Sequence, residues 1–240
     1  FTLPAFIFLR DRGTAQRAYV SASKTAKHSW NEVYGTVKRV QSYKMLALFL
    51  LAFLCYNDGI QTVLSQSSTF ALQELSFSEE GLVKVILMIQ FAALPGALVV
   101  GWLADRYGQK QILIYCLAIW ITLLFAAYFV TSQAMFWLLG ACVAMVMGGT
   151  QSVSRAIMGV MTPEEQSAKF FGFYNLSGKA TGFFGAFLFG IIYAATGSSR
   201  WAIVSIVMFF IAGTVIVWFV DVDQGRRAKE EISHRRSYQQ

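Results

Sequence analysis

Two ionisable side chains lie inside long apolar runs, and any chemistry of this chain starts with them. Asp58 interrupts LFLLAFLCYNDGIQTVL, with Asn57 beside it and Gln61 three residues on. Lys179 interrupts a second run, with Asn175 four residues before it. A charge at the centre of a hydrocarbon layer costs about 2.5–3.5 kcal/mol on insertion scales, so such residues turn toward a bundle interior or a water-filled path. Residues three or four apart on a helix share a face. Asn57, Asp58, Gln61, Asn175 and Lys179 are therefore the candidate solute-binding or ion-coupling set. Asp58 falls thirteen residues after Met45, and Lys179 nine after Phe170. At ~1.5 Å per residue their backbone depths differ by about 6 Å, a gap that a lysine side chain largely covers. Two readings of the pair stay open. One is a fixed salt bridge that holds the bundle together. The other is a pair that opens and closes as the protein works, with Asp58 taking a proton or Lys179 holding a carboxylate.

Other chemistries find little support. The two histidines, His28 and His234, lie in polar segments. Cys55, Cys116 and Cys142 lie in apolar runs at spacings that fit no metal site, and their odd number argues against a disulfide framework. Gly172–Ala180 fails as a phosphate loop, because five residues separate Gly172 from Gly178 and Ala180 stands where Ser or Thr is needed. Asn175-Leu176-Ser177 is a glycosylation triplet buried in an apolar run. With no zinc motif, serine elbow or nucleophile–base pair, the reading is of a non-enzyme without metal or cofactor.

The elements that must position these residues are membrane spans. Hydrophobic residues make up 56% of the 240 and charged residues 14%, against about 25% charged in soluble domains. Six apolar segments fall near Met45–Leu64, Leu82–Ala104, Gln111–Val130, Ala134–Val153, Phe170–Ala195 and Trp201–Val220. Each can cross a ~30 Å hydrocarbon core, and the short connections make consecutive spans antiparallel. The fold class is all-α integral membrane, a six-helix bundle over residues 45–221. Seventeen of the 20 Lys and Arg residues gather in 10–44, in the second-to-third and fourth-to-fifth connections, and after Val220. That asymmetry places both termini in the cytoplasm. It also accounts for the +7 net charge without nucleic acid as a partner; the lipid bilayer is the partner instead. The third and sixth spans, almost uniformly apolar, are expected to face lipid.

Smaller signals refine this layout. Lys84, near the outer end of its span, can snorkel. Pro95-Gly96 predicts a kink in the second span. Thr162-Pro163-Glu164-Glu165 predicts a capped helix start, and Gly197 with Ser198 or Ser199 a stop and a restart. Gly178, Gly182 and Gly185 form a small-residue stripe suited to close helix packing, with direct solute contact as the secondary reading. Residues 10–44 form either a basic amphipathic helix on the membrane surface, with Trp30, Val33, Tyr34, Val37 and Val40 on one face, or a disordered basic linker. Residues 1–9 read as the end of a span whose start is missing, and 222–240 as a basic tail.

The connection after the second span reads GWLADRYGQK. It resembles the signature loop of the major facilitator superfamily, Gly-x-Leu-Ala-Asp-Arg-x-Gly-Arg-Lys, matching at Gly101, Leu103, Asp105, Arg106, Gly108 and Lys110 and departing at Gln109. CYNDGIQTVL, GGTQSVSRA and FFGFYNLSGKATG are similar to the branch that includes the fungal vacuolar effluxer of autophagy and its bacterial relatives. The resemblance covers nearly the whole chain and implies the C-terminal half of a twelve-helix secondary transporter. It implies a small polar solute moved by alternating access, with amino acids as candidate substrates and protons as a possible coupling ion. It also implies an N-terminal six-helix half as partner, a conformational-switch role for Gly101, Asp105, Arg106, Gly108 and Lys110, and, for a bacterial relative, the inner membrane. Drug or metabolite export on the same fold, or a non-transporting membrane module that binds a partner through 10–44, are the alternatives.

Overall fold

The computed structural model describes residues 44–162, 167–227 and 229, except for the side chains of Lys169, Lys179 and Ala180. The expectations for residues 1–43, for the Pro163-Glu164-Glu165 capping motif and for the far tail lie outside the described residues. Eight helices are present among the described residues: α1 (Lys44–Leu75), α2 (Glu79–Tyr107), α3 (Gln109–Tyr128), α4 (Gln133–Met161), α5 (Ser167–Ala180), α6 (Phe183–Thr196), α7 (Ser199–Ser205) and α8 (Val207–Phe219). Residues 222–227 are also helical, and no strand occurs among the described residues. Six stretches are long and apolar enough to cross a membrane: α1, α2, α3, α4, α5 with α6, and α7 with α8. The expected all-α six-span bundle is therefore present.

Local chemistry sets the ends. Ser78 caps α2, its hydroxyl accepting from Gly81 N–H at 3.1 Å, with Glu79 and Glu80 in the first turn where acidic groups favour the positive helix end. Ser132 caps α4 in the same way through Met135 N–H. Gly197 ends α6 in the left-handed conformation (φ 66°), its N–H bonded to Tyr193 O. Ser198 stands at the N-cap of α7 without a side-chain bond. Hydropathy places the ends of the first and fourth spans too early. Both helices run on, to Leu75 and Met161, because apolar residues beyond the polar interruptions still find partners. Phe70, past Ser65–Thr69, is fully buried and stacks on Phe136. Pro95 lies within α2, which continues through it. The fifth span departs most. It is two 14-residue helices, α5 and α6, separated at Thr181-Gly182.

α2 packs chiefly on α4, and α8 on α1; α3 lies against α4 and α8. The α2–α4 contact is backbone on backbone. A Cβ on Gly96 would overlap the Met145 carbonyl oxygen, and one on Gly148 the Ala93 carbonyl oxygen, the close approach that small residues allow in membranes. The core holds Trp120 stacked on Phe210 at 5.1 Å. Its polar tips are paired: Trp120 Nε1 donates to Thr150 Oγ1 at 3.2 Å, and the Tyr56 and Ser154 hydroxyls lie 2.6 Å apart. The third and sixth spans do not simply face outward. α3 buries Leu113, Leu117 and Trp120, and α8 buries Phe210 and Val217. The largest exposed apolar faces belong instead to α2, with Phe91, Leu94 and Leu98, and to α6, with Phe183, Phe184 and Phe187. Uniform apolarity cannot separate a lipid face from a packed one, because hydrocarbon and protein core accept the same residues.

At the bundle end opposite Gly108, Arg200 joins three elements. Its Nη1 donates to Tyr128 O at 2.7 Å, beyond which α3 ends, and its Nε donates to Glu74 of α1 at 3.3 Å. Its guanidinium also lies 5.8 Å from the Phe70 ring centre. Gln133 Nε2 donates to the carbonyls of Leu75 and Ser76, and Ser199 bonds Gln73.

Candidate functional site

The break in the fifth span is the site's centre. In an unbroken helix the Gly182 N–H would bond the Gly178 carbonyl four residues back. Here both groups find partners on α1. The Gly182 N–H donates to Asp58 Oδ1, and the Gly185 N–H to Asp58 Oδ2 at 2.5 Å. Asn57 Nδ2 donates to Gly178 O at 3.1 Å and to Thr181 Oγ1 at 2.5 Å, while the Thr181 hydroxyl donates to Gly178 O at 2.9 Å. Two neighbouring side chains on α1 thus serve the two faces of the break. The carboxamide supplies protons to the end of α5, and the carboxylate accepts them from the start of α6. Asp58 also stands at the positive end of α6, where an anion is stabilised. Away from water each unpaired amide or carbonyl would cost about 2–7 kcal/mol, so this local repair is what makes the break tolerable.

The sequence around the break suits it. Gly182 adopts φ 104°, a left-handed conformation that other residues rarely take. Gly185 has no room for a side chain, since a Cβ there would overlap Thr62 Oγ1 and come within 2.9 Å of Asp58 Oδ2. Thr62 is itself held in place, its hydroxyl donating to Asp58 O one turn back at 2.8 Å. On the α5 side, Tyr174 stacks on Phe53 at 4.2 Å.

The five sequence candidates separate in space. Asn57 and Asp58 are 4% and 3% exposed and form the junction. Gln61 borders it, half-buried, with its Cβ 3.2 Å from the place a Cβ on Gly182 would occupy. Asn175 is exposed on α5, while its neighbour Tyr174 is buried against α1. The Lys179 side chain lies outside the described residues, so its pairing with Asp58 stays an expectation. The described partners of the Asp58 carboxylate are backbone amides. Sequence reasoning missed Thr181 and took Gly182 as part of a packing stripe. The available signal was a Thr-Gly pair in mid-span, opposite an Asn-Asp pair of similar depth.

At the Gly108 end the expected signature connection is mostly helix. Gly101–Tyr107 are the last turns of α2, α3 starts at Gln109, and Gly108 alone joins them (φ 99°) with its N–H on Ala104 O. Lys110 Nζ donates to Trp218 O at 2.8 Å, in the last turn of α8, so a cation does bridge two helix ends. The Arg106 guanidinium lies 5.6 Å and 5.7 Å from the ring centres of Trp102 and Tyr107. Asp105 and Lys110 line a cleft of about 780 Å³ together with Asp221, Asp223 and Arg226.

Comparison with known proteins decides the family. A profile of the family described as vacuole effluxer Atg22 like matches residues 1–230. The chain belongs to this Atg22-like family. Among its relatives, the uncharacterized MFS-type transporter YxiO of Bacillus subtilis is 31% identical over 221 residues, which cover 92% of this chain and 50% of YxiO. Autophagy-related protein 22-1 of Aspergillus fumigatus is 28% identical over 251 residues, covering 95% of this chain and 41% of that protein. Autophagy-related protein 22 of Saccharomyces cerevisiae is 24% identical over 218 residues, or 86% and 41%. The chain therefore spans half or less of the length of the curated relatives it matches. The expected place within the major facilitator superfamily, in the branch of the fungal effluxers and their bacterial relatives, holds. The Atg22-like chain is a multi-pass membrane protein whose fold corresponds to half of that superfamily's fold.

Proposed function

We propose that this Atg22-like chain is the C-terminal half of a secondary active transporter that moves a small polar solute, with amino acids as the leading substrate class. The observation that carries the reading is a carboxylate, Asp58, held in mid-span at a broken helix. Structural bundles have little use for such a group, whereas transporters place broken helices at their midplane sites. The family's description as vacuole effluxer-like, and that of one relative as an MFS-type transporter, support the same reading. In this proposal the other wall of the cavity is an N-terminal six-helix half. Gln61, Asn175 and Lys179 are the candidate solute contacts, Asn57 and Asp58 shape the junction, and protons are the first coupling ion to test. In this reading both ends lie in the cytoplasm, which the Lys and Arg asymmetry supports, and for a bacterial protein the membrane is the inner one.

The test is a solute screen on the full-length protein in proteoliposomes, with and without a proton gradient. Saturable amino-acid flux is expected. Flux of drugs or other metabolites alone would move the assignment to an exporter of the same fold. No saturable flux of any solute would reject transport.

A further inference from the structure

The geometry points to Thr181-Gly182 as a joint in the fifth span, and to Asn57 and Asp58 as the positioning residues that keep it open rather than as solute ligands. Three observations converge. First, the contacts of α1 divide at one peptide bond. Phe53 and Asn57 meet α5, through Tyr174, Gly178 and Thr181, whereas Asp58 and Thr62 meet α6, through Gly182 and Gly185. Second, the two half-helices have different described neighbours: α6 packs on α1 and α7, whereas α5 packs on α1 and brings Phe171 beside Gly159 of α4. Third, the Gly178 carbonyl and the Gly182 and Gly185 amides, which an unbroken helix would pair within itself, have partners on the same helix, α1. α5 can then change its tilt about a fixed α6 while these three groups stay paired through α1. Changes of this kind at element ends are how domain motions are absorbed.

The joint rests on the transporter reading for its purpose but not for its test. The first measurement is hydrogen exchange at the Gly182 and Gly185 amides in the full-length protein in nanodiscs. Asp58→Asn leaves one acceptor oxygen where there were two and puts an NH₂ group against a backbone donor. Exchange at these amides should rise at least tenfold, while exchange in α8 is unchanged and Gln61→Ala has no effect. Thr181→Val removes the hydroxyl between Asn57 and Gly178 and leaves Asp58 intact. It should raise exchange at the joint about threefold, and it keeps the test open if Asp58→Asn is not expressed. The second measurement uses the amino acid selected by the proteoliposome screen. A positioning role predicts that Asp58→Asn lowers maximal flux at least tenfold with KM within threefold. Wild-type exchange at Gly182 and Gly185 in both variants overturns the joint, and so does a raised KM with unchanged maximal flux, which is the mark of a solute ligand. If the screen selects no amino acid, the transport reading fails and the exchange measurement still decides the joint.

Discussion

Gly185 is the point where α6 touches α1 most closely, and its lack of a side chain can be tested directly. Gly185→Ala would press a methyl group into Thr62 Oγ1. Overpacking of this kind costs about 1–3 kcal/mol, which should appear as a lower melting temperature and a lower yield of monodisperse protein. Thr62→Ala removes the nearest obstacle at little cost, because that hydroxyl donates to a carbonyl of its own helix, but the Thr62 Cβ and Asp58 Oδ2, each 2.9 Å from the added carbon, remain. The double variant should therefore recover part of the loss, and a thermal-stability cycle over the four proteins measures the coupling. Additive losses would mean that the glycine is needed for its backbone and not for space. Asn57, Asp58 and Gln61 were legible as a group in the sequence, since polar side chains in an apolar run must turn away from lipid. Their division of labour was not. Whether a buried carboxylate meets an ammonium, a solute or a backbone amide is decided by the facing helix, and nothing in the local sequence of α1 names it.

Among the elements, the six spans were legible because twenty apolar residues in a row admit few other structures. Their ends and interruptions were less so. Hydropathy stops at Ser65–Thr69, yet α1 continues for ten residues beyond Ser65 because Phe70 and Leu75 are buried. The break at Thr181-Gly182 was hidden because glycine is common in membrane helices and ordinarily marks packing. Arg200 stands in the connection before α7, apart from the basic-rich segments, and its contacts give it a structural role. It ties the ends of α1 and α3 to the start of α7. Arg200→Gln removes one charge-assisted bond to Tyr128 O and one partly buried ion pair. The expected loss is about 1–2 kcal/mol of stability. Arg200→Lys should restore only part of it, because a lysine cannot span both acceptors with one rigid fork. Thermal unfolding of the detergent-solubilised protein reads both, and an unchanged midpoint for Arg200→Gln would show that the clamp contributes nothing.

For the whole molecule, the large apolar faces of α2 and α6 and the exposed Asn175 lie on a bundle that spans half or less of its relatives' length. Liposomes holding only these 240 residues should show no saturable flux, and co-expression with an N-terminal half should restore part of it. Robust flux from the chain alone, as a monomer, would contradict the half-transporter reading.

The pairing of Asp58 with Gly182 also has a consequence for how the protein is made. The two residues are 124 positions apart. At ~5–20 residues per second the ribosome delivers the second about 6–25 s after the first. During that interval α1 must hold a carboxylate with no amide to receive it. A single aspartate at mid-span opposes membrane insertion by about 2.5–3.5 kcal/mol, and α1 is among the less apolar of the six spans. Nascent chains stalled before α6 should therefore hold α1 more loosely, and leave it more open to degradation, than the finished chain does.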